Sequence, residues 1–158
     1  DKDAVVASML ICEMAAYYKA QGKTLIDVMN GLYDEFGYYC NTVQSYTFEG
    51  ASGMEKMAAI MDGLRVNKPS SFAGYEVTKI DDYKTSKSTD VKTGEESEIT
   101  LPKSNVLAYT LTDGNKVIVR PSGTEPKIKA YITAIGTSEE NAKQIAQELL
   151  KDADELMK

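Results

Sequence analysis

An arginine, two hydroxyl side chains and a glycine fall within five residues, Arg120-Pro121-Ser122-Gly123-Thr124, directly after the apolar run Val117-Ile118-Val119. Such a set is suited to an oxyanion, phosphate above all. A guanidinium makes two parallel hydrogen bonds to one phosphate. Serine and threonine hydroxyls donate, and glycine lets a tight turn aim successive backbone N–H groups inward. Strand alternation puts Lys116, Ile118 and Arg120 on one face and Val117 and Val119 on the other, so Arg120 leaves the strand end on a defined side. Pro121 fixes its own φ and holds Arg120 extended, while Pro126 stiffens the exit. Lys127 and Lys129 share a face of the next strand and add positive potential. Glu125 is the discordant member: it repels phosphate unless it orients Arg120 or an amide, or accepts from a sugar hydroxyl. The same letters also compose an ordinary surface turn, and the residues alone leave both readings open.

No second constellation completes a reaction, so no catalytic residue is expected. Gly94-Glu95-Glu96-Ser97 puts two carboxylates beside a hydroxyl, but in a polar stretch with no scaffold to fix them. The acidic pairs Asp81-Asp82 and Asp152/Asp154 read as solvated charges, because a hard cation needs converging ligands; no metal site is expected. The chain has no histidine, which removes the commonest general base and metal ligand. It has no P-loop, dinucleotide fingerprint or zinc spacing. Cys12 and Cys40 read as reduced thiols in or near the core. A net charge of −6 argues against a nucleic-acid partner. The absence of an apolar run long enough to span a bilayer argues against a membrane partner. The expected setting is the cytoplasm.

The elements that must position the loop follow from periodicity. Residues 3–18 read as a helix capped by Asp1 or Asp3, with Val5, Val6, Met9, Leu10, Ile11 and Met14 spread round its circumference. Helices apolar nearly all round sit inside larger proteins, so this one is expected to be cut from a longer chain. Gln21-Gly22-Lys23 ends it, and Thr24 with Asp27 starts a second helix whose stripe is Leu25, Val28, Met29, Leu32 and Phe36. Gly37 closes that helix in a left-handed conformation. Strand 43–48 and a helix with stripe Met54, Met57, Ala58, Met61 and Leu64 come next, followed by strand 74–83. Residues 84–104 read as a mobile polar excursion. Strands 105–111 and 116–120 flank an Asp113-Gly114 hairpin, strand 127–135 follows, and a helix over 139–157 ends the chain. The expected fold class is α+β: an antiparallel sheet with two helices on one face, preceded by a helical hairpin.

The run Val119-Arg120-Pro121-Ser122-Gly123-Thr124-Glu125-Pro126-Lys127-Ile128-Lys129 resembles the phosphate-binding signature of the α-D-phosphohexomutases, in the phosphoglucomutase and phosphomannomutase branch. The stretch from Asp1-Lys2-Asp3 through Gly37-Tyr38-Tyr39, Phe48-Glu49-Gly50, and Gly53-Met54-Glu55-Lys56-Met57 are similar to that family too. The resemblance implies that residues 1–40 are the C-terminal tail of a third, sugar-binding domain. It implies that residues 41–158 are a fourth domain of TATA-box-binding-protein-like fold, without DNA binding. Arg120, Ser122, Gly123 and Thr124 then match the phosphate-gripping positions, with Lys129 a further one. The implied parent enzyme interconverts hexose 1-phosphate and hexose 6-phosphate through a phosphoserine and a hexose 1,6-bisphosphate. Mg²⁺ and glucose 1,6-bisphosphate are its implied cofactors, hexose phosphate and the missing N-terminal domains are the implied partners, and this portion alone carries no cofactor and is expected to be inactive. Gly94-Glu95-Glu96-Ser97 imitates the family's sugar loop in letters but lies after the third domain has ended. Two other classes stay open: a stand-alone phosphate or phosphopeptide-binding module, and a structural domain with Arg120 bridged to Glu125.

Overall fold

A computed structural model describes residues 2–50 and 52–157. Two compact units emerge, Asp1–Tyr38 and Tyr39–Lys158. The first is a helical hairpin. In α1 (Ala4–Ala20) the Asp3 carboxylate caps the start by accepting the Val6 N–H at 2.9 Å. A Schellman turn ends it, the Lys23 N–H reaching the Tyr18 carbonyl with Gly22 at φ +74°. In α2 (Leu25–Phe36) Thr24 and Asp27 form a complete capping box. Gly37 leaves the helix at φ +92° and ψ 165°, extended with positive φ and not the left-handed helical geometry expected of it. No described residue of either helix is buried. The expected α2 stripe is therefore corrected. Leu25 and Val28 are half-buried, but Met29, Leu32 and Phe36 are exposed, because within this unit they have only one neighbouring helix to pack on. Cys12 is likewise an exposed thiol and not a core one, while Cys40 is half-buried; both are free.

The second unit is a sheet with two helices on one face. Strand β1 (Tyr38–Thr47) is longer than its apolar letters suggest and precedes α3 (Gly53–Val66). Then come β2 (Ser71–Phe72), β3 (Tyr75–Asp82), β4 (Lys87–Asp90), β5 (Glu96–Glu98), β6 (Leu107–Leu111), β7 (Lys116–Pro121), β8 (Lys127–Gly136) and α4 (Glu139–Leu156). The sheet runs β1-β8-β7-β6-β3-β4-β5, with β2 on β3. Its registered pairs are antiparallel. Contacts of Asn41 with Thr133 and of Phe48 with Pro126 run β1 antiparallel to β8 as well.

The core lies between this sheet and the helices. Met57, Met61 and Leu64 of α3, and Ile145, Ala146 and Leu149 of α4, meet Val77, Leu107, Val117, Val119, Ile128 and Ile132. Ser138 caps α4 by accepting the Asn141 N–H at 3.1 Å, a contact worth about 1 kcal/mol. The β6–β7 hairpin turns at Asp113 and Gly114, both at positive φ, as a type I′ turn requires. Behind it, the fully buried Asn115 donates to the Thr112 carbonyl and accepts the Ile135 N–H.

Residues 84–104 do not form the expected mobile excursion. They carry β4 and β5, which extend the sheet beyond β3. Backbone pairing and a Lys87–Glu96 ion pair of 2.7 Å hold this extension, a kind of order that leaves no apolar period in the sequence.

Candidate anion-binding site

The registers of β7 and β8 bring the basic residues together. Arg120 lies directly opposite Lys129, and Ile118 opposite Tyr131, on the face of the sheet away from the helices. Val119 and Ala130, their neighbours in register, are fully buried on the other face. Facing like charges destabilise a strand pair by a few tenths to about 1 kcal/mol, so the fold holds an electrostatic conflict that an anion relieves. Arg120 and Lys129 are exposed, and among the described residues neither makes an ion pair.

Between the strands the loop closes on itself. The Ser122 N–H donates to the Lys127 carbonyl at 2.7 Å, and the Lys127 N–H to the Glu125 carbonyl at 2.7 Å. Ser122 Oγ accepts the Glu125 N–H at 3.2 Å and the Thr124 N–H at 3.4 Å. These four amides, of Ser122, Thr124, Glu125 and Lys127, are thus engaged internally and do not point into a nest, which corrects the expected backbone geometry. Among the described residues the Ser122 hydroxyl acts only as an acceptor, so its own proton is available to donate. Gly123 has no positive φ, and a Cβ there would meet nothing within 4 Å. What the glycine supplies is open space over the loop and not a special turn.

Glu125 has its own partner. Its carboxylate lies 3.4 Å from Lys127 Nζ, so it neither orients Arg120 nor closes the Arg120 bridge that a ligand-free structural domain would show. The cleft that remains has a volume of about 340 Å³ and includes Arg120, Ser122, Thr124, Lys129 and Tyr131 in its lining. The structure brings all five sequence-selected residues, Arg120, Ser122, Gly123, Thr124 and Lys129, to this one cleft. It adds Tyr131, half-buried, which strand alternation from Lys127 and Lys129 places on the same face.

The other candidates are structural. Glu96 is held below the usual carboxylate range by Lys87. Asp82, read as solvated, is instead mostly buried and accepts from Arg65 at 3.2 Å. Asp152 accepts the Ala73 N–H, and Asp154 the Tyr46 hydroxyl at 2.6 Å. Among the described residues no group of three or more acidic or cysteine side chains could hold a metal ion, and no helix is long and apolar enough to cross a membrane.

Fold and cleft together define an α+β domain of TATA-box-binding-protein-like type, with a cationic cleft at one end of the open sheet face. The family described as "Phosphoglucomutase/phosphomannomutase, C-terminal domain" matches residues 64–152, and the chain belongs to it. Similar relatives are phosphoglucomutases of Staphylococcus aureus, 42% identical over 133 residues, and of Staphylococcus epidermidis, 39% identical over 133 residues. Each alignment covers 84% of this chain and 24% of the relative. The phosphoglucomutase of Staphylococcus haemolyticus is 36% identical over 149 residues, which is 94% of this chain and 26% of that one. The chain therefore spans about a quarter of the length of the curated relatives it matches. Among solved structures, the open form of pp63/parafusin, an exocytosis-sensitive phosphoprotein and phosphoglucomutase of Paramecium, superposes with a TM-score of 0.64. That superposition covers 99% of this chain and 27% of that one at 15% identity, a likeness of fold.

Proposed function

We propose that this chain is the phosphate-gripping C-terminal portion of an enzyme that interconverts hexose 1-phosphate and hexose 6-phosphate through a phosphoserine and a hexose 1,6-bisphosphate. In this reading residues 1–40 are the end of the third domain and residues 41–158 are the fourth. The exposed apolar residues of α1 and α2 support the first assignment, being surface that a larger domain would cover. The single observation that carries the second is that Arg120, in no ion pair among the described residues, faces Lys129 across β7 and β8 beside the Ser122 and Thr124 hydroxyls.

Arg120 and Lys129 would hold the phosphate remote from the reacting end by charge, and Ser122 and Thr124 would donate to its oxygens. A grip made of charge and oxygen-directed donors, open over Gly123, accepts a phosphate on either end of the sugar. That is the requirement of a bisphosphate that turns over between half-reactions. Mg²⁺ would supply electrostatic stabilisation of the transferred phosphoryl group in the parent enzyme. The donor set described here does not fit it, so its ligands and the phosphoserine are assigned to the parent's other domains. The setting we propose is the cytoplasm.

Calorimetry with inorganic phosphate and glucose 6-phosphate tests the grip. Saturable binding that Arg120→Ala weakens by about 10- to 100-fold is expected, since hydrogen bonds to charged groups contribute about 1.5–3 kcal/mol. Equal binding by both proteins would contradict the reading.

A further inference from the structure

We infer that Gly53 is a positioning residue for the anion loop, fixing its exit from behind; the inference rests on the phosphate-binding reading above. Gly53 is buried at the first turn of α3. Its φ is not positive, so the backbone does not call for glycine. Space does. A Cβ at this position would run into the Phe48 carbonyl oxygen and come within 2.9 Å of the Pro126 Cβ. Neither neighbour is the free end of a flexible side chain.

The same Phe48 holds Pro126 from its other polar group, its N–H donating to the Pro126 carbonyl at 2.9 Å. One backbone unit at the end of β1 therefore touches both the start of α3 and the last residue of the loop. From Pro126 the linkage continues into the site. Lys127 donates to the Glu125 carbonyl and accepts the Ser122 N–H, and Ser122 Oγ gathers the Thr124 and Glu125 amides. Displacing Pro126 moves the point on which this closed loop is anchored, although Gly53 does not line the cleft.

Gly136 supplies the comparison. A Cβ there would come within 2.5 Å of the Ala142 nitrogen, so it is crowded to a similar degree. It sits at the far end of the ten-residue β8, about 30 Å from Lys127 at 3.3 Å per residue. A substitution at Gly136 strains the fold without reaching the loop.

The test titrates inorganic phosphate into the whole 158-residue chain as wild type, Gly53→Ala and Gly136→Ala, with a thermal melt of each. Both variants should melt lower. Phosphate affinity should fall at least fivefold in Gly53→Ala and stay within about twofold of wild type in Gly136→Ala, because precise placement of the donors decides the binding. Wild-type affinity in Gly53→Ala, or an equal loss in both variants, overturns the inference and leaves the grip intact. Absence of phosphate binding by the wild type overturns the grip and the inference with it. If Gly53→Ala does not fold, hydrogen exchange on the wild type decides. Saturating phosphate should slow exchange of the Phe48 amide, which is bonded to the Pro126 carbonyl at the loop's exit. Unchanged Phe48 exchange, with the 122–125 amides responding, overturns the inference.

Discussion

Arg120 and Lys129 oppose each other across β7 and β8, and the fold supplies no carboxylate to either among the described residues. Lys127 does receive one, from Glu125. The site is thus divided residue by residue into a neutralised support and two free cations. Elsewhere, single polar atoms behave as structure. Asn115 is fully buried with both amide atoms engaged, so Asn115→Ala should cost about 2 to 3 kcal/mol by leaving the Ile135 N–H and the Thr112 carbonyl unpaired. A urea melt measures this; a loss below 0.5 kcal/mol would mean the turn reorganises without it. Tyr109 is the opposite case. Its ring is fully buried against Phe72, and no protein group among the described residues engages its hydroxyl. Burial also pushes that phenol's pKa well up. Tyr109→Phe keeps the packing and should leave stability unchanged or raise it by up to about 1 kcal/mol in the same melt. A clear loss would show that the hydroxyl is bonded.

Among the elements, the ones marked by apolar period and capping letters were legible in the sequence. Thr24 and Asp27 announce α2, Ser138 announces α4, and Asp113-Gly114 announces the β6–β7 turn; each is found in that role. What stayed hidden was order made by backbone pairing and charge. Strands β4 and β5 pair Lys87 with Glu98 and Ser88 with Ser97, letters that look like loop. The cleft was legible as a set of residues, because Arg120 and Lys129 stand on predictable strand faces. The loop's internal bonding was not, since nothing in the letters says that Ser122 Oγ takes the Thr124 and Glu125 amides. The capping box also makes a pH-dependent element. Hydrogen bonds from the Thr24 hydroxyl and then its amide hold the Asp27 carboxyl below the ordinary value of 3.8. The unfolded chain therefore takes up this proton first as pH falls. The cap's contribution is fully present above about pH 4 and is lost as pH drops through the folded value. Helicity of residues 25–36, followed by amide NMR, should decline across that range, and Asp27→Asn should remove the dependence. Identical titrations for both proteins would exclude the cap as its source.

For the whole molecule, the balance of features is that of a part. The second unit has a continuous core and a cationic cleft, with no metal-binding cluster among the described residues and no histidine in the sequence. The first unit is capped at both helix starts yet buries no described helical residue. The relatives are roughly four times as long, and the proposal is that their further domains cover the first unit and supply the chemistry to the second. The chain alone should accordingly give no turnover of glucose 1-phosphate with Mg²⁺ in a coupled assay. Turnover by pure protein that Arg120→Ala abolishes would refute the division of labour proposed here.

The most direct measurement is a backbone-amide NMR titration of the labelled chain with inorganic phosphate and glucose 1,6-bisphosphate. The account predicts saturable shifts centred on Ser122, Gly123 and Thr124, extending to Lys129 and abolished by Arg120→Ala. A folded chain whose 120–129 amides do not move at saturating ligand would contradict it.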